Sequence, residues 1–171
     1  MAVRKRSSYD KEMIDNNDKD DFPVRKNIRL KGFDYSLRRD YFVTIVAHQR
    51  RKYFADKRIA DSTINGLLEQ RQTRNFKLYV YCLMPDHFHA IFGTGESGLS
   101  LGAICGGFKG VTTNAFWQWG NGRLWQKRFF DHIIRNEAEF WETVAYIRNN
   151  PVRKGLVGNW EDYSYTGSVD L

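Results

Sequence analysis

The stretch Lys77-Leu-Tyr-Val-Tyr-Cys-Leu-Met-Pro-Asp-His-Phe-His-Ala-Ile-Phe92 decides the fold. Two runs of aromatic, aliphatic and β-branched residues flank Met84-Pro85-Asp86, a break that suits a tight connection, so the stretch reads as two antiparallel neighbours. Side chains on a strand alternate faces with a period of two, so His87 and His89 point one way and Phe88 and Ala90 the other. Spacing alone leaves two readings of the imidazoles open. Neutral imidazole is a common ligand, and the pair would form half of a metal site; alternatively one His caps the turn and the other meets a polar neighbour.

Upstream, Tyr41-Phe-Val-Thr-Ile-Val-Ala47 has the composition of a first central strand. A helix capped by Asp61 or Ser62 and running through Ile64, Leu67 and Leu68 to about Asn75 would link it to the pair. Downstream, Gly93-Thr-Gly-Glu-Ser-Gly98 reads as a loop, and a second helix is predicted over 100–119 with Leu101, Ile104, Phe108 and Val111 on one stripe. Gly102, Gly106, Gly107 and Gly110 weaken that helix, and close packing of helix on sheet would explain them. The run lacks the Gly-Lys-Ser/Thr ending of a phosphate loop, so no nucleotide site is assigned to it. Asn121-Gly122 marks a turn, and Leu124 to Ile134 reads as a further strand. Asn136 with Glu139 resembles a capping box that opens a last helix through Phe140, Val144 and Ile147, which Pro151 stops. The order of elements predicts an α+β fold: an antiparallel sheet of ferredoxin-like or RNA-recognition-motif style, with helices packed on one face and a C-terminal helix.

A chain of 171 residues, 42% hydrophobic and 15% aromatic, is long enough for one domain with a proper core. Residues 1–21 mix a basic start with six acidic residues and almost no aliphatics, the composition of a flexible tail, which leaves 22–171 as the domain. No apolar run reaches the length of a spanning helix and the N-terminus lacks a signal-peptide core, so a soluble, intracellular protein with no membrane partner is expected. Cys82 and Cys105 form no Cys-x-x-Cys pair and read as small buried hydrophobes. The formal charge of +7 favours an anionic partner, with nucleic acid as first candidate. Arg38, Arg39, Arg50 and Arg51 with Tyr41 and Tyr53 bracket the first strand, as phosphate contacts and stacking faces would, although a solvated charged edge would look the same. Lys109, Lys127 and Arg128 are further candidate phosphate contacts, and Trp117, Trp119 and Trp125 candidate stacking platforms.

On the last helix Phe140, Val144 and Ile147 form the core stripe, while Tyr146 shares another stripe with Glu139, Thr143 and Asn150. Tyr146 and Asn150 lie one turn apart. On helix geometry alone this pair is adequately described as an interfacial Tyr and a C-terminal cap before Pro151.

Taken together, Leu83-Met-Pro-Asp-His-Phe-His89, Leu124-Trp-Gln-Lys-Arg-Phe-Phe-Asp-His-Ile-Ile-Arg135 and Tyr146-Ile-Arg-Asn-Asn-Pro-Val-Arg-Lys-Gly-Leu156 resemble the single-tyrosine HUH transposases, the IS200-like family. The similarity is greatest to the REP-associated tyrosine transposase branch. Ile28-Arg-Leu-Lys-Gly-Phe-Asp-Tyr35 and Tyr41-Phe-Val-Thr-Ile45 extend the resemblance over roughly residues 25–165. The resemblance implies that His87 and His89 are metal ligands, that Asn150 occupies the place of a third, helix-borne ligand, and that Tyr146 is the nucleophile. It implies Mg2+ or Mn2+ as cofactor, and as substrate single-stranded DNA with hairpin structure, cut through a 5′-phosphotyrosyl intermediate in the bacterial cytoplasm at the nucleoid. Position 86 is Asp where the family often has Asn, which brings an extra carboxylate to the metal. A homodimer that exchanged the last helix would use Tyr146 in trans, and a monomer would use it in cis. The competing reading is a non-catalytic hairpin-binding protein of the same fold.

Overall fold

The computed structural model describes residues 39–95 and 97–171. The expected tail over 1–21, the domain start at 22, Arg38 and the upstream basic residues lie outside them. Five strands make one sheet in the order β4-β1-β3-β2-β5: β1 Asp40–Val46, β2 Lys77–Met84, β3 His87–Gly93, β4 Phe130–Ile133 and β5 Thr166–Ser168. All neighbours are antiparallel. The first four follow the ferredoxin-like order, and β5 is an added edge that the sequence reading did not contain.

Between β2 and β3 only Pro85 and Asp86 intervene, which pins the register at Met84↔His87. β1 pairs with β3 from Val46↔His87 to Asp40↔Gly93, so the histidines sit where β1 ends. β2 carries a bulge at Tyr79: Leu78 pairs with Phe92, but Val80 pairs with Ile91. Beyond the bulge the parity of β2 is inverted, so Leu78 belongs to one core while Val80, Cys82 and Met84 belong to the other.

Helices cover both faces of the sheet, where the sequence suggested one. Helix α1, Lys57–Arg74, and helix α2, Leu101–Phe116, lie on the face bearing Tyr41, Val43, Phe88, Ala90 and Phe92, with Leu67 and Phe108 between them. Helix α3, Glu137–Arg148, lays Val144 and Ile147 on Phe42, Val80, Cys82 and Ile91 of the opposite face. The expected core stripe of α3 is therefore real, but it packs against a second, smaller core.

Local details depart from expectation for identifiable reasons. Asp56, not Asp61, caps α1 by accepting from Arg58 N, and Asp61 is engaged by Lys57 one turn back. Ser100 caps α2. Of the α2 glycines, Gly107 is closely approached, by the guanidinium of Arg74 and not by the sheet, whereas a Cβ at Gly106 or Gly110 would meet open space. The strand expected over 124–134 shrinks to four residues. Trp125 makes an isolated bridge to Ala47, and the Gln126 and Lys127 carbonyls accept from Lys109 Nζ at 2.5 and 3.0 Å instead of from a ladder. Asn136 caps α3 as the capping box requires. Pro151 does not follow the end of the helix; it occupies the first turn of a separate short helix, α4, Asn150–Arg153.

Residues 166–170 run along the outer edge of β2. Val169 and Asp170 donate backbone bonds to Tyr79 and Leu78, and the Asp170 carboxylate is clamped by Arg71 and by Leu78 N.

Candidate active site

The turn at Pro85-Asp86 delivers His87 and His89 to the α3 face of the sheet, their ring centroids 4.7 Å apart and nearly perpendicular. His89 is buried and stacks on Phe42 at 5.6 Å. Each imidazole is held by its Nδ1. His89 Nδ1 meets Thr44 Oγ1 at 2.9 Å across the β1–β3 ladder, and His87 Nδ1 meets Asp86 Oδ1 at 2.6 Å. Among the described residues no hydrogen bond reaches either Nε2. Outer partners that fix ring and tautomer while one nitrogen stays open are the usual support of metal-ligating histidine.

Electrostatics keep the inner imidazole neutral. Burial holds the pKa of His89 well below the ordinary value, reinforced by the charges of His87, Arg153 and Lys154. A neutral ring is the form that can donate a lone pair. For Asp86 burial pushes the carboxyl up, but the bond and charge of His87 and the charge of Arg50, whose Nη1 stands 3.8 Å away, outweigh it, and the net pKa falls below the usual carboxylate value. Asp86 thus orients His87, a more specific place than the extra carboxylate near a metal that the sequence suggested.

Tyr146 is half-buried, as an interfacial residue would be. Its ring stands edge-on to Phe42 at 5.9 Å and to His89 at 5.7 Å, and the guanidinium of Arg153 lies over it, 4.9 Å from the centroid. One turn on, Asn150 is 4% exposed, and its Oδ1 has no hydrogen-bond partner. An unpaired buried amide oxygen costs about 1–3 kcal/mol, so it marks a place where a positive group belongs. Two open imidazole nitrogens and one orphaned carbonyl oxygen are donors of the kind a divalent ion accepts. Among the described residues no cluster of three His, Cys, Asp or Glu could hold an ion. Cys82, opposite His89, is not such a donor: burial pushes its thiol up to about 11, and Thr166 Oγ1 bonds it.

The candidate DNA contacts divide. Arg50 and Arg51 follow β1 at the His87 end, and exposed Lys127 and Arg128 are brought to that end by the bond from Gln126 N to Val46 O. Arg39 is exposed at the other end of β1, roughly 20 Å away at 3.3 Å per residue. Lys109 is committed to the 126–127 carbonyls, and burial draws its pKa down. Trp125 is buried and donates to Thr112, while Trp117 and Trp119 are exposed. Sequence reasoning missed Thr44 and Arg153. The lone threonine inside the run Tyr41-Phe-Val-Thr-Ile-Val46 was the available signal for the first; for the second it was a cation seven residues, two turns, beyond Tyr146.

The model of the family described as "Transposase IS200 like" matches residues 37–150. A REP-associated tyrosine transposase of Escherichia coli K12 is 28% identical over 102 residues, which span 60% of this chain and 60% of that protein's length. An uncharacterised protein of Haemophilus influenzae is 24% identical over 161 residues, 75% of this chain and 88% of its own. The solved structure of a REP-associated tyrosine transposase bound to a REP hairpin superposes with a TM-score of 0.68, at 23% identity over 81% of this chain and 82% of that one, a likeness of fold.

Proposed function

The chain belongs to the IS200-like transposase family, and from that premise we propose that it cleaves and rejoins single-stranded DNA at hairpin sequences through Tyr146. The observation that carries the reading is the packing of Tyr146 on His89, with the orphaned Oδ1 of Asn150 four residues further along the chain. In the reaction Tyr146 Oη attacks a backbone phosphorus, the P–O3′ bond breaks, and the departing 3′ oxygen takes up a proton. The products are a 5′-phosphotyrosyl link and a free 3′-hydroxyl, and the reverse attack rejoins the strand. One phosphodiester replaces another, so no external energy source is needed.

An ordinary phenol is about one part in a thousand ionised at pH 7, a deficit near 4 kcal/mol that a site must offset. The guanidinium of Arg153 over the ring favours developing negative charge there. His87, His89 and Asn150 are the residues that would hold a divalent ion, and when bound it would polarise the scissile phosphate and stabilise the leaving oxygen. Two nitrogen donors also suit zinc or nickel, and the family is what favours Mg2+ or Mn2+. Tyr146 packs on His89 of its own chain, the arrangement that attack in cis requires. Arg50, Arg51, Lys127 and Arg128 are the proposed phosphate contacts near the site, and Arg39, at the other end of β1, would bear on a more distant part of the strand. Among the described residues no helix is long and apolar enough to cross a membrane.

The test is a denaturing gel after incubation with Mg2+ or Mn2+ and labelled hairpin DNA. A covalent adduct that requires both the ion and Tyr146 is expected, with Tyr146→Phe blank. Tight hairpin binding without adduct from any member of a varied hairpin library would refute the chemistry and leave a binding protein.

A further inference from the structure

We propose that Trp117 and Trp119, with the cations beside them, form a stacking surface for unpaired nucleotides of a DNA strand led toward the histidines. The inference rests on the reading of the protein as a single-strand DNA enzyme. Both indoles leave the C-terminal end of α2, 56% and 38% exposed, and contribute nothing to either core. Trp117 Nε1 donates to the Gly122 carbonyl at 2.9 Å, which holds the ring in one orientation. An immobilised aromatic surface facing water is what base stacking requires, because no side-chain freedom remains to be lost on binding.

Along the segment that carries the pair the charge has one sign. From residue 97 to residue 130 there is no Asp or Glu, against Lys109, Arg123, Lys127 and Arg128, of which the last three are exposed. On the other side Phe116 packs edge-on against Tyr53 at 5.1 Å, which brings exposed Arg51 and Lys52 to the same corner, and His48 N is tied to the Leu124 carbonyl at 2.8 Å. The next acid along that segment, Asp56, is engaged by Arg58. Cations tracking a backbone with aromatic rings between them match a polyanion whose bases are free, whereas a duplex hides its base faces except at its ends. The corner is tied through the backbone to the end of β1 where His87 sits, with the tryptophans leaving from the other face of the sheet: Gln126 N bonds Val46 O, and Val46 is the register partner of His87.

The test measures binding in the Tyr146→Phe background, where no cleavage intervenes, with oligo-dT, the same backbone carrying abasic sites, and a blunt duplex. Trp117→Ala and Trp119→Ala should each weaken oligo-dT binding about tenfold, the scale of one lost base–aromatic stack. They should leave duplex binding and melting temperature unchanged, and abasic backbone should bind all variants alike. Trp141→Ala, which removes an equally exposed indole elsewhere, should change nothing. Undiminished oligo-dT binding by Trp117→Ala, equal losses on duplex, or tighter binding of oligo-rU than of oligo-dT would each overturn the proposal. A protein that binds oligo-dT through Trp117 yet forms no tyrosine adduct would sink the transposase reading alone; an adduct-forming protein indifferent to both tryptophans would sink this one alone.

Discussion

Thr44→Val isolates the support of the inner histidine. Valine is nearly isosteric with threonine, so no cavity opens and the β1–β3 ladder keeps a β-branched residue opposite His89. What is lost is the 2.9 Å bond between His89 Nδ1 and Thr44 Oγ1. For Nε2 to offer its lone pair to an ion, the single proton of the neutral ring must sit on Nδ1, where the hydroxyl oxygen accepts it. With valine in place the ring either buries an unpaired N–H, at about 1–3 kcal/mol, or moves its proton to Nε2 and blocks the ligand position. Both outcomes fall on metal affinity. The expected loss is about 10–100-fold, equivalent to roughly 1.4–2.8 kcal/mol, with Thr44→Ser close to wild type because the hydroxyl returns. Calorimetric titration with Mn2+ measures this directly and needs no DNA. An unchanged Mn2+ affinity in a folded Thr44→Val protein would refute the reasoning, since the hydroxyl would then orient nothing that the ion uses.

Asn150→Ala should behave unlike an ordinary buried polar deletion: with no bond to Oδ1 to lose, the metal-free protein should melt no lower than wild type, while Mn2+ affinity falls at least tenfold, read by thermal shift with and without the ion. Asp170→Asn should remove on the order of 2 kcal/mol at pH 7, a charge-assisted clamp to Arg71 and Leu78 N. For the Asp170 carboxyl burial pushes the pKa up, but Arg71, Leu78 N and Lys77 outweigh it and the folded value lies below the unfolded one. Its stabilisation is therefore complete above the ordinary carboxylate range and disappears as pH falls through the depressed folded value, so urea midpoints of wild type and variant should converge in acid. Ile147→Ala should cost about 2–5 kcal/mol by urea denaturation, because Ile147 is fully buried where α3 meets the sheet and so supports the position of Tyr146.

How much of this was legible in the sequence depends on the range of the interaction that decides each feature. The His87/His89 face, the Asn136 cap and the Val144–Ile147 stripe follow from periods and caps within a few residues. The second helix-covered face does not, because Val80, Cys82, Met84 and Ile91 lie in continuous apolar runs that carry no mark of which face they serve. Their parity is moreover inverted by the bulge at Tyr79. β5, a Thr-Gly-Ser segment, has no apolar signal and is held by residues such as Asp170 and Arg71, 99 positions apart. The shortened β4 is another long-range result, since Lys109 takes carbonyls that a ladder would otherwise use. At the site, spacing put the two imidazoles on one face and the tyrosine one turn from the amide, but it left each with an ordinary structural reading; it was the resemblance to the family, carried by several spaced motifs, that singled them out. The Thr44 hydroxyl and the Arg153 guanidinium depend on register and on the approach of α4, and these exist only in three dimensions.

The two-residue turn between β2 and β3 bears on how such a chain can vary over evolutionary time. Substitutions at Pro85 or Asp86 alter local contacts, but an insertion there alters arithmetic. Advancing β3 by one position would turn His87 and His89 toward Leu67 and Phe108, and set Phe88 and Ala90 beside Tyr146. Such an insertion survives only if the extra residue is absorbed as a bulge, as Tyr79 is on the neighbouring strand. Length at this turn should therefore be held more strictly than identity, and insertions and deletions should accumulate where no face depends on the count.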